Sequence, residues 1–277
     1  MSWKKILRMD ERIIYIVATF AVVLPMFFPV GFPVARDPSA VTLYNYVSDL
    51  PAGSPIIYSF DLEASGTTEL KPATLVLIDL SLQRGHRIFL MALQAQGPGL
   101  ARVWTDPIFA RHNAEYGVDW LDIGYISASA SFMELSRTDL LNAWNNRDYT
   151  GQRLDTFPIM EGLVTGNDIA ALCSITTGSP GILEWVGGMG AIGVIEDILG
   201  VGTAVLAPGN ISLYTAGLMK GLANGLNGAA TLEACHGAPG SAHGNSDAQS
   251  FAHLAIIAFV ILGNIAYFSA RRAGDIS

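Results

Sequence analysis

Two uncharged apolar stretches constrain this chain more than anything else in it. Ile13–Val34 reads IIYIVATFAVVLPMFFPVGFPV, and Gln249–Ala270 is a second such stretch near the other end. A helix of about 20 apolar residues crosses roughly 30 Å of hydrocarbon. The pattern predicts transmembrane helices at 13–34 and 249–270, short ends at 1–12 and 271–277, and a body at 35–248 between them. Pro25, Pro29 and Pro33 each remove a backbone donor, so the first helix is expected to kink or end near its outer interface. A basic start followed by an apolar run also has the form of a signal peptide; it is read here as a retained anchor.

Flanking charge sets the expected orientation. Lys4, Lys5, Arg8 and Arg12 precede the first stretch, and Arg271 and Arg272 follow the second. Basic residues favour the cytoplasmic side. The expectation is a two-pass protein of the cell (inner) membrane, with both termini cytoplasmic and the body outside. Between Arg36 and Gln249 there are ten basic and 21 acidic side chains, a net −11. Such a surface repels phosphate, so nucleic acid is excluded as a partner. The expected partners are the lipid bilayer and other membrane subunits, or further copies of the chain.

Within the body, short apolar runs alternate with helical ones. Strands are predicted at Pro55–Leu62, His86–Gln94, Trp120–Tyr125, Ile169–Thr176 and Val201–Ala207. Between them, a densely apolar helix at Leu70–Arg84, one from Gly97 broken at Pro107, and one at Phe132–Trp144 opened by a Ser131–Glu134 capping box are expected. Asn145–Leu163 reads as a surface loop. A last helix is expected from Asn210 or Ser212 to about Cys235, followed by a flexible tether over 235–248. Apolar strands separated by helices imply a parallel sheet covered on both faces. The fold class is therefore α/β: an open, doubly wound, mostly parallel five-stranded sheet, Rossmann-like or flavodoxin-like.

The segments YGVDWLDIGYISASASFMEL (Tyr116–Leu135), SPGILEWV (Ser179–Val186) and APGNISLYTAGLMKGLANGLNGAATLE (Ala207–Glu233) carry a resemblance. They resemble an uncharacterised family of prokaryotic membrane-anchored α/β proteins over about half the body. The resemblance implies fold and topology, and no activity. That family carries a glycine pair and a Glu after the third strand, where this chain has SASAS at Ser127–Ser131.

Ligands of doubly wound sheets settle beyond the carboxyl ends of the strands. Asp61 and Glu63 alternate at such an end, where two carboxylates could converge on a cation or act as acid and base. Equally, Asp61 could serve the following turn while Glu63 stays solvated. Thr176, Thr177 and Ser179 belong to TTGSPG, a helix start whose N–H groups could hold an anion. No GxGxxG follows the first strand, and neither Lys71 nor Lys220 sits in a phosphate loop. No GxSxG elbow is present. His86 and His112 have no evident nucleophile to serve. Cys235, His236 and His243 match no standard metal spacing, and neither metal nor cofactor is expected. Cys173 reads as core, though an oxidising compartment would permit a bridge to Cys235.

Gly217, Gly221, Gly225 and Gly228 fall at helical spacing in the expected last helix. Each costs about 1 kcal/mol relative to alanine, which suggests a face closely approached by a neighbour. Asn264 inside the second stretch is costly in lipid and points to a protein-facing side. Together these features predict a non-catalytic, membrane-anchored subunit that docks on, or oligomerises into, a larger membrane assembly. The alternative is a membrane-tethered enzyme or small-ligand sensor using Asp61, Glu63 and the Thr176–Ser179 loop.

Overall fold

A computed structural model describes residues 10–28, 35–127, 130–238 and 240–273. The chain divides into two compact units, Ala35–Ala242 and the two flanks together.

The larger unit is a six-stranded parallel sheet with the order β3-β2-β1-β4-β5-β6. Its strands are β1 (Pro55–Asp61), β2 (Arg87–Ala92), β3 (Trp120–Tyr125), β4 (Ala171–Thr176), β5 (Ile198–Gly202) and β6 (Gly221–Asn224). The helices, in chain order, are α1 (Glu11–Phe27), α2 (Pro38–Asp49), α3 (Thr67–Gln83), α4 (Gly97–His112), α5 (Ala130–Ser136), α6 (Leu140–Ala143), α7 (Ile182–Trp185), α8 (Ala207–Thr215), α9 (Gly225–His236) and α10 (Ser241–Arg272). The strand order reverses direction between β1 and β4, which makes that junction the topological switch point.

Alternation along each strand sends side chains to opposite faces. From β1, Tyr58 reaches Ser81 of α3 at 2.7 Å, and Phe60 meets Trp104 of α4. The other face carries Ile57, Phe89, Leu172 and Ile198 into a core closed by Phe132, Trp144 and Trp185. α3 is buried nearly all round, as its density of Leu, Val and Ile predicts.

The expected α/β class stands, with corrections. The sheet has six strands, not five. The last helix is two helices with β6 between them, so Gly217, Gly221, Gly225 and Gly228 share no helix face. Gly217 turns the chain after α8 at φ +76°, and Gly225 turns it into α9 at φ +57°. Gly221 lies in β6 beneath α2, where a Cβ would strike the backbone of Leu43. Gly228 packs on the backbone of Ala223. These glycines answer close approach and positive φ inside one domain.

The fifth strand begins three residues earlier than expected, at Ile198, and a π-helical turn at Val186–Gly190 precedes it. α4 runs through Pro107 unbroken, because the lost N–H falls on a solvent-facing side where Val103 is exposed. The helix expected at Phe132–Trp144 is two short ones. Residues 128–129 of the SASAS segment lie outside the described residues. The supposed surface loop Asn145–Leu163 buries Leu154, Ile159, Met160 and Leu163 through short 3-10 turns. The expected tether over 235–248 is largely helical: α9 ends at His236, Gly237 caps it at φ +71°, and α10 starts at Ser241. Cys173 and Cys235 are both free.

Both ends of this unit fasten to α9. The Asp37 N–H donates to Thr231 Oγ1 at 3.1 Å, and the Ala242 N–H donates to Glu233 Oε1 at 3.0 Å.

In the flanking unit, two membrane-crossing helices were expected. Among the described residues one, α10, is long and apolar enough to cross a membrane. At 32 residues it spans about 48 Å. α1 has 17 residues, capped by Asp10, whose carboxylate accepts from the Arg12 N–H at 2.9 Å. Residues 29–34 of the expected first span lie outside the described residues.

Candidate functional site at the carboxyl edge of the sheet

Asp61 ends β1 and is fully buried. Its Oδ1 accepts from Ser59 Oγ at 2.6 Å and from the Leu93 N–H at 2.8 Å. Its Oδ2 accepts from Ser174 Oγ and from the Trp185 indole N–H, both at 2.7 Å. One carboxylate thus joins β1, the end of β2, β4 and α7. Burial pushes its pKa up against the pull of these four donors. With both oxygens engaged, Asp61 has nothing left for a ligand. Glu63 is exposed and does not converge with it, so the paired-carboxylate expectation fails. β-strand alternation ends at Asp61, and residue 63 already belongs to the loop.

The crevice at the switch point is filled by protein. The Glu63 N–H donates to Thr177 Oγ1 at 3.1 Å, joining the loops after β1 and β4. A Cβ on Gly66 would run into the Thr177 methyl, and one on Gly97 into the Phe60 carbonyl. Gln94 Nε2 donates to the carbonyls of Asp61 at 3.0 Å and Pro180 at 3.3 Å.

The Thr176–Gly181 loop turns its donors inward. The Thr177 N–H goes to the Asp61 carbonyl at 3.3 Å and the Gly178 N–H to Thr176 Oγ1 at 3.0 Å. The Gly181 N–H goes to Glu184 Oε2 at 2.7 Å, and Ser179 Oγ to Glu184 Oε1 at 2.5 Å. Glu184 occupies the position of an external anion, which corrects the anion-cradle expectation for Thr176, Thr177 and Ser179.

The outer side of that loop borders an open cleft of about 310 Å³ between α7 and α8. Its lining combines the polar Thr176, Ser179, Glu184 and Asn210 with the apolar Leu183, Leu206 and Leu213. Asn210 is held by its Nδ2 donating to Asn224 Oδ1 at 3.0 Å. Leu183 and Leu213 continue into a second cleft of about 440 Å³, bounded by the π-helical turn and Leu218. Leu183 is 64% exposed and Leu218 50%. Leu183 has no signature in the sequence, because an exposed leucine on a four-residue helix has no periodicity to betray it.

Two other polar clusters lie apart from this groove. On β3, the buried Asp122 binds Arg102 at 2.8 Å, and the Arg102 guanidinium lies over Tyr149. Burial raises the pKa of Asp122 against that cation. On the same face of the sheet as Asp122, Asp79 of α3 gathers Arg111, His112 Nε2 and His236 Nε2, each imidazole at 2.7 Å. Gln83 Nε2 adds a fourth donor at 2.7 Å. His112, which looked unpartnered in the sequence, is therefore a structural ligand of Asp79. Comparison with known proteins adds no assignment: no family model, curated protein or solved structure matches the chain.

Proposed function

We propose that this chain is a membrane-anchored, non-catalytic α/β subunit whose domain docks on a larger membrane assembly. The carrying observation is the apolar groove between α7 and α8, with Leu183 and Leu218 turned outward on either side of the half-buried Leu213, beside an otherwise packed sheet. Contiguous exposed apolar surface of this kind marks interaction sites. The occupant is a protein segment with an apolar ridge and basic flanks, complementary to the groove and to a body of net −11. The filled switch-point crevice speaks in the same direction, since its polar groups are spent on holding the strands. α10 supplies the anchor. The flanking Lys and Arg residues favour a two-pass arrangement in the cell membrane, with both termini cytoplasmic and the domain outside. The test is purification in mild detergent followed by native mass measurement. A stoichiometric membrane protein should accompany the wild-type chain and be lost from Leu183→Asp; a chain that carries no partner in either form refutes docking.

A second reading, a membrane-tethered small-ligand sensor, has one observation in its favour. Thr176, Ser179, Glu184 and Asn210 line a cleft of ligand size, about 310 Å³. Saturable thermal stabilisation by a small amphipathic compound, abolished by Asn210→Leu, would move the assignment to it.

A further inference from the structure

Asn264 places a carboxamide within the apolar length of α10. α10 carries no charged side chain between His253 and Arg271, seventeen residues or about 26 Å, close to a bilayer's hydrocarbon thickness. Asn264 lies seven residues, about 10 Å, inside the Arg271 end. Water at that depth is scarce, and an amide there needs a protein partner.

Among its described residues the flanking unit does not provide one. Ala248, Ala266 and Ala270 are buried along one stripe of α10, with Ala255 half-buried on the same line. At about 100° per residue, Asn264 sits about 160° from that stripe. It is exposed, and its side chain makes no hydrogen bond among the described residues. Ile257 and Val260 flank it, 54% and 56% exposed, and Phe268 follows one turn later at 58%. Gly263 beside it has open space where a Cβ would stand, so another backbone can come close.

We infer that this face of α10 is a self-association surface, on which a second copy of the chain pairs through reciprocal Asn264–Asn264 hydrogen bonds. A carboxamide is both donor and acceptor, so two copies related by a two-fold axis satisfy each other without a second kind of polar residue. The apolar residues above and below Asn264 supply the packing, and Gly263 admits the close crossing. The inference rests on the membrane-anchored reading, and it names the oligomerising partner as the chain itself.

The full-length chain in lipid nanodiscs and mild detergent tests it, with mass read by analytical ultracentrifugation. Wild type should be dimeric. Asn264→Leu should weaken the dimer at least tenfold in Kd, while Asn264→Gln, which keeps the amide, should retain it. In a background with Cys173 and Cys235 replaced by alanine, Val260→Cys should cross-link between copies and Ala266→Cys should not. A monomeric wild type, or a dimer that Asn264→Leu leaves intact, overturns the inference. Leu183→Asp in parallel separates the two proposals: it should release a groove-bound protein and leave the Asn264 dimer unchanged. A chain that washes off membranes in alkaline carbonate would remove the anchor itself.

Discussion

Asp61 shows how one side chain fixes several elements. Its two oxygens each take two donors, one of them an indole N–H that cannot reverse its polarity. Asp61→Asn replaces an acceptor by an NH2 group facing either Trp185 and Ser174 or Leu93 and Ser59. Ser hydroxyls can rotate to accept; the indole and the backbone amide cannot. A loss of about 1–3 kcal/mol is expected for the donor left bare in the core. Chemical denaturation followed by tryptophan fluorescence measures it, and Trp185 makes the reporter local. Asp79 gives a pH prediction. Burial alone would raise its pKa, but His112, His236 and Arg111 reverse that and hold it below the ordinary value. A depressed carboxyl stabilises the fold fully above its unfolded pKa, about 3.9, and loses that contribution as pH falls through the lower folded value. Denaturation midpoints should therefore drop below about pH 4 in wild type, and the drop should be shallower in Asp79→Asn.

At the scale of elements, the glycines of β6 and α9 make the sharpest test. On an exposed helix face, Gly221→Ala would stabilise by about 1 kcal/mol. In β6, where the added methyl meets Leu43 of α2, it should destabilise by about 1–3 kcal/mol through overpacking. The sign of the shift in the denaturation midpoint decides between the two. This is also where sequence reading lost its way. β1 to β4 are predominantly apolar and stood out, as did α3 with its high leucine and isoleucine content. β6 is GLAN, four residues with one large apolar side chain, and its spacing of small residues imitates a helix. Its strand character comes from pairing with β5 and from cover by α2, both distant in sequence. The loop at Asn145–Leu163 misled in the same way. Its polar residues hold backbone turns around Asp148, while Leu154 and Ile159 reach the core without any regular period. The position of Asp61 at a strand end was legible, but its role was not, because three of its four partners come from other segments.

The whole molecule combines a tightly closed crevice with an open apolar groove. Leu183→Asp and Leu218→Asp change only exposed positions, so stability should hold within about 0.5 kcal/mol while any bound protein is lost. Unchanged melting together with a changed native mass is the expected pair of results. The placement of α9 has a mechanical consequence. The incoming and outgoing ends of the domain are fastened to this one helix, at Thr231 and Glu233, two residues apart. A lateral pull applied across the domain's two ends is therefore taken up in a loop of force closed over α9. The six strands, and the Asp61 junction among them, stay outside that loop, so the domain can be tugged by its moorings without its sheet being sheared.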